Sequence, residues 1–182
     1  MAKFVPFDFK TEVSGKVMNY FINVIPENKG LFLVFLSQHG LTDIQMDEWY
    51  KQESWLKALK EIENYFGGYT LYYLGKSISK MITLDSGVDC LKEALSSINE
   101  TYQSHHRNGN TGEYLLEEFN TEFNTARIVV NTPYPCDMVR GIVTAVARKY
   151  QPQGSRLIEV IPVETPENRN KNPDACVFEI RW

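Results

Sequence analysis

Histidine and cysteine are scarce, with three of each among 182 residues. Cys90, Cys136 and Cys176 are unevenly spaced and include no Cys-x-x-Cys pair, so they make no disulfide framework. No apolar run reaches the roughly 20 residues that a membrane-spanning helix needs. The N-terminal MAKFVPFDFKTEV lacks the apolar stretch of a signal peptide, and the expected location is a reducing cytoplasm. Phosphate-loop, dinucleotide, zinc-protease, serine-elbow and EF-hand motifs are all missing, which makes an enzyme the least favoured class. A net charge of −4 and a pI near 5.5, without any Lys/Arg cluster, argue against an electrostatic grip on nucleic acid or an anionic membrane surface. Asn99-Glu100-Thr101 spells a glycosylation sequon, but it falls mid-helix in a chain with no export signal and is discounted.

What the chain does have is the composition of a folded domain. Hydrophobic residues make up 43% and charged residues 23%, so it can bury a substantial core. Its length suits a single domain, 1–182, read as a helical N-terminal extension over 1–50 and a core over 51–182. Aromatic residues, at 13%, either fill that core or line a pocket, and composition alone does not separate the two.

Periodicity predicts helices in the first half. Val13 to Ile25 carries Val17, Tyr20, Phe21 and Val24 at helical spacing, and Leu31 to Leu36 is a short apolar run assigned as helix. Thr42 to Gln52 reads as loop. Ser54 caps a predicted helix from Trp55 to Phe66, ended by Gly67-Gly68. A second helix opens at Thr70 with Leu71, Leu74, Ile78 and Met81 inward. Its interior Gly75, which costs about 1 kcal/mol against alanine, implies close approach by another backbone. A third begins at Asp85 or Ser86, with Ser86 and Asp89 resembling a capping box, and carries Leu91, Leu95, Ile98 and Tyr102.

Beyond the breaker Asn108-Gly109-Asn110 the pattern turns to strands: Glu113 to Phe119, Glu122 to Asn131, Leu157 to Val163 and the terminal CVFEIRW. Between the second and third lies a helix from Asp137, its predicted cap, with Met138, Val139, Ile142 and Val146 inward. Gly141 and Ala145 are expected to let it pack on the sheet. Pro162 suits an edge strand, and a strand ending on Trp182 is expected to be docked. The fold class is therefore α+β: a helical N-terminal half packed on a four-stranded antiparallel sheet in ββαββ order.

Few residues here suit chemistry. His39 reads as a helix-end histidine near terminal carbonyls. His105-His106-Arg107 is either a helix end stabilised by positive charge, or His106 is a pocket residue or metal ligand; one histidine is not a metal site. Cys136 and Cys176 approach one another if the helix start lies beside the last strand. A thiol there has a lowered pKa and serves as ligand or reactive group; the alternative is a small buried hydrophobe at each position. Glu117-Glu118 and Asp47-Glu48 read as solvated pairs.

Three pieces of sequence carry a resemblance: Tyr102 with His106-Arg107, the corner Tyr134-Pro135-Cys136-Asp137 with Gly141, and the Cys176 to Trp182 ending. From Ser54 to Trp182 the chain resembles bacterial 4-vinyl-reductase-like proteins. These are similar in fold to haem-nitric-oxide-binding sensor domains and to small subunits of the TRAPP tethering complexes. The resemblance implies a cytoplasmic domain that binds a small hydrophobic molecule, such as a hydrocarbon, and signals to an output protein in trans. The implied ligand-binding set is Tyr102, His106, Arg107, Tyr134, Cys136 and Cys176. The cofactor and any metal are left open. Members often carry a further cysteine before the last one, where this chain has Asn168, so a metal or thiol cluster is in doubt. Haem sensors pair an axial histidine with a later Tyr-x-Ser-x-Arg clamp. Here Tyr102-Gln103-Ser104 meets Arg107 one residue late, with His39 as the only earlier histidine. The alternative functions are a homodimeric scaffold of the TRAPP-subunit type and, behind it, a haem gas sensor or a reductase.

Overall fold

The computed structural model describes residues 3–24, 26–78, 88–155, 157–163 and 175–182. Strand β1 (Glu12–Ser14) leads into helix α1 (Gly15–Val24), and a 3-10 turn (Pro26–Asn28) into α2 (Lys29–Gln38). Then come β2 (Trp49–Lys51), α3 (Gln52–Phe66), α4 (Gly68–Ile78), α5 (Leu91–Ser104) and β3 (His106–Arg107). The C-terminal half is β4 (Glu113–Asn120), β5 (Thr125–Asn131), α6 (Cys136–Lys149), β6 (Glu159–Pro162) and β7 (Cys176–Arg181).

The ββαββ unit forms as expected: an antiparallel four-stranded sheet in the order β4-β5-β7-β6, with α6 crossing between β5 and β6. Alternation sets its faces. Ala126, Ile128 and Val130 of β5 are buried, while their neighbours Arg127 and Val129 are half-buried. Pro162, which has no N–H to offer a ladder, sits on the edge strand β6. Trp182 is docked: its ring stacks on Phe119 at 5.0 Å and its N–H donates to the Asn124 carbonyl.

A second sheet, β2-β1-β3, was not expected. Its strands are two or three residues long, too short for alternation to register. It takes Glu12–Ser14 away from the helix expected to start at Val13, and it ties residues near 13, 50 and 106 together. The core does not stop at residue 50. Val13, Met18, Phe21, Phe32 and Leu36 share one buried cluster with Leu59, Ile98 and Val146.

Several helix ends differ from expectation. Helix α3 starts at Gln52, after Lys51 in the cap position, because the chain turns straight from β2 into the helix, so Ser54 lies inside it. Helix α5 starts at Leu91 with Cys90 in the cap position. The expected cap at Ser86, Met81 and the Asn168 position lie outside the described residues. Pro135, not Asp137, occupies the cap position of α6; Asp137 sits in the first turn, where a carboxylate favours the positive helix end.

Gly75 does meet another backbone. A Cβ built there would lie 2.0 Å from the Met138 carbonyl oxygen, and one on Gly141 would lie 2.1 Å from the Tyr72 carbonyl oxygen. The two glycines thus let α4 and α6 cross nearly backbone to backbone. Gly141 faces helix α4 and not, as expected, the sheet.

Candidate functional site

Alongside that crossing α6 also meets α5. Between them is a cavity of about 60 Å³, walled by Val17 of α1, Ile78 of α4, Ile98, Thr101 and Tyr102 of α5, His105, His106, Tyr114 of β4, Tyr134, and Met138 and Ile142 of α6. No side chain of α3 belongs to the wall. The apolar wall positions belong to helical stripes that the sequence already marked as inward.

Three of the six expected ligand-binding residues meet here. The Tyr134 hydroxyl lies 2.7 Å from His106 Nε2, and His106 Nδ1 lies 2.8 Å from the Tyr102 carbonyl. A carbonyl only accepts, so Nδ1 carries the proton and Nε2 accepts from Tyr134. His106 is therefore a neutral imidazole with both nitrogens engaged. Burial pushes its pKa down from 6.5 to about 4, opposed by the Tyr102 carbonyl and reinforced by His105. Burial likewise raises the Tyr134 and Tyr102 hydroxyls well above their ordinary range. Gln52 Nε2 donates to the Tyr134 oxygen at 3.4 Å, and the Tyr102 hydroxyl donates to the Thr111 carbonyl at 2.5 Å. Tyr102, His106 and Tyr134 also contact ring to ring, with centroids 4.3 to 6.1 Å apart. Gln52, wholly buried at the start of α3, was missed because its segment reads as polar loop.

The other three lie elsewhere. Alternation in β3 turns Arg107 away from the cavity that His106 faces. Its Nε pairs with Glu12 Oε2 at 2.6 Å, and its guanidinium lies 4.6 Å above the Trp49 ring. Cys136 and Cys176 do approach one another and form a disulfide, with Cα atoms 5.6 Å apart, joining the start of α6 to β7. This corrects both the expectation of no disulfide and the alternative of two separate buried thiols. Neither cysteine belongs to the cavity wall. Cys90 is free and exposed.

The residues do not fit a haem. His39 ends α2 and bonds Glu61 at 2.8 Å, away from the cavity wall. His106 has no lone pair to give. Ser104 Oγ donates to the Thr101 carbonyl at 2.8 Å, and Arg107 is on the far side of β3, so no clamp converges. His105 alone keeps an uncommitted imidazole on the wall; burial, aided by Lys16, lowers its pKa. The space beside it, about 60 Å³, is less than half of the roughly 150 Å³ that accepts benzene, and a porphyrin is several times larger still. Among the described residues no three His, Cys, Asp or Glu side chains are grouped to hold a metal, and no helix is long and apolar enough to cross a membrane.

No protein-family model matches the sequence, and no curated protein does. Solved structures do match in fold. An H-NOX protein from S. oneidensis in the Fe(II)NO ligation state is 12% identical, with 92% of this chain and 98% of that one covered at a TM-score of 0.68. An Fe(II) unliganded H-NOX protein mutant from K. algicida is 15% identical, with coverages of 92% and 95% and a TM-score of 0.67. A T. Tengcongensis H-NOX mutant is 10% identical, with coverages of 91% and 93% and a TM-score of 0.63. At such identities the likeness speaks of architecture alone. The chain has the haem-NO-binding-like α+β fold, its helical half packed on an antiparallel sheet.

Proposed function

We propose that this chain is a non-catalytic sensory domain that takes a small, uncharged, largely apolar guest into the cavity between α5 and α6, without haem, and signals to a partner protein in trans. The observation that carries this reading is the cavity wall itself: apolar side chains around a neutral Tyr134-His106-Tyr102 chain whose hydrogen bonds are already made. Such a wall offers an ion no compensation for lost hydration, and it offers an apolar guest a dry surface. The H-NOX architecture supports sensing as the general role, and the 4-vinyl-reductase-like motifs support a hydrophobic guest. Haem sensing, which the names of the fold relatives would favour, conflicts with the engaged nitrogens of His106 and the outward Arg107.

Native mass spectrometry and absorption spectra of protein isolated from haem-supplemented cells test this. The expected result is a small organic adduct, or a thermal shift with members of an apolar library, and no Soret band. Stoichiometric haem would overturn the haem-free reading. A bare chain with no shift across the library would overturn guest binding itself.

The dimeric scaffold has one observation in its favour. Tyr69 and Tyr73, one turn apart on α4, are 77% and 48% exposed, and Tyr65 near the end of α3 is 66% exposed; such large exposed rings suit a partner surface. Sedimentation equilibrium tests it: a monomer at high concentration removes it.

A further inference from the structure

Among the described residues six polar side chains stand on the cavity wall, and hydrogen-bond accounting separates them. Thr101 donates to the Ser97 carbonyl, Tyr102 to the Thr111 carbonyl, Tyr134 to His106, and His106 to the Tyr102 carbonyl. That leaves Tyr114 and His105. Tyr114 is 6% exposed, yet its hydroxyl makes no hydrogen bond among the described residues; only its backbone N–H is bonded, to Asn99. The His105 ring likewise makes none, and its burial keeps it neutral. The buried side-chain atoms that lack a partner lie on other residues, so the unbonded Tyr114 hydroxyl is within reach of a small probe, and its residue belongs to the cavity wall.

We infer that Tyr114 and His105 are the specificity-determining residues of this cavity, and that they select an uncharged guest bearing one carbonyl or hydroxyl oxygen on an apolar body. A carbonyl oxygen has two lone pairs and can accept from the Tyr114 hydroxyl or the His105 N–H, both of which belong to wall residues. Burial holds the Tyr114 phenol protonated, so it acts only as a donor or a neutral acceptor. A carboxylate would enter a wall with no Lys or Arg among the described residues, which disfavours it. The inference rests on the cavity being a binding site and adds the chemistry of what it prefers.

Three probes small enough for about 60 Å³ separate the possibilities: ethanol, chloroethane and formate, titrated against the methyl NMR signals of Ile78, Ile98, Met138 and Ile142. The alcohol is expected to bind about fivefold tighter than the chloroalkane, the scale of one neutral hydrogen bond. Tyr114→Phe removes that preference and leaves chloroalkane affinity within about twofold. His105→Phe reduces it in the same direction, and His105→Gln, which keeps a donor, restores part of it. A second readout needs no guest: Tyr114→Phe, which deletes an unpartnered hydroxyl, should melt no lower than wild type. Equal binding of all three probes, unchanged by either variant, or tightest binding of formate, would overturn the inference while leaving a binding cavity. If no probe moves the cavity methyls, the binding reading falls and takes this inference with it.

Discussion

One stripe of helix α6 solves two opposite problems. At Gly141, opposite Gly75, it meets α4 so closely that neither position has room for a Cβ. Its neighbours on that stripe, Met138 and Ile142, send side chains into the wall of a cavity shared with α5 and rimmed by aromatic rings and two imidazoles. The backbone crossing fixes where α6 lies; the side chains beside it can then leave a gap without the fold closing over it. Rigid packing at one point of a helix holds open the space next to it, where interiors otherwise collapse toward close packing.

The strongest way to break this contrast is at the glycines. Gly141→Val forces a branched side chain into the α4 backbone, where no rotamer relieves it. The expected cost exceeds about 3 kcal/mol, the upper part of the range for overpacking, and urea titration should find little or no folded baseline. Ile142→Val, beside the crossing, should cost about 1 kcal/mol and enlarge the cavity.

Next is the disulfide that pins the first turn of α6 to β7. Cys136 and Cys176 are separated by 40 residues. Closing a loop of that length is worth about 4 kcal/mol in the chain-entropy account, with strain reducing what is measured. The double variant Cys136→Ala, Cys176→Ala should lose about 2–4 kcal/mol in urea while the cavity methyls keep their chemical shifts, since neither cysteine lines the cavity.

A smaller effect sharpens the comparison through pH. His106 binds its proton near pH 4 in the folded chain against 6.5 for an ordinary histidine. Between those values the unfolded chain holds the extra proton, so stability is complete above about pH 6.5 and declines as pH falls toward 4, by up to about 3 kcal/mol. His105, lowered by burial, acts in the same direction. In His106→Phe that slope should flatten, read as the change of the urea midpoint between pH 7 and pH 5.

Much of this was legible in the chain, and for identifiable reasons. Helices α1, α3 and α5 carry apolar stripes at helical spacing, and β5 and β7 alternate, so the ββαββ order and the helical half followed from periodicity. Gly75 announced a close crossing because an interior glycine needs a cause. Which element Gly141 met was not legible, since a glycine says that something is near without saying what. The strands of the small sheet are too short to carry a period, and that sheet is what positions His106 inward and Arg107 outward. In the site, His106 was readable as a pocket residue at a helix end, whereas Tyr102 and Tyr134 came with the family resemblance, which also named Arg107, Cys136 and Cys176, all of which lie off the wall. Tyr114 and Gln52 were missed, because an alternating strand and a polar loop look the same whether or not a residue with a hydroxyl or an amide ends up buried. Met138 and Ile142 read as core, which in sequence is indistinguishable from the wall of a cavity.

The central claim is that an apolar guest can enter between α5 and α6. Methyl NMR under xenon pressure tests it most directly, since xenon needs no polar recognition and enters dry apolar cavities. Saturable shifts confined to Ile78, Ile98, Met138 and Ile142, with the residues at the α4–α6 glycine crossing unmoved, are predicted. Shifts spread evenly over the core, or none at those four side chains, would contradict it.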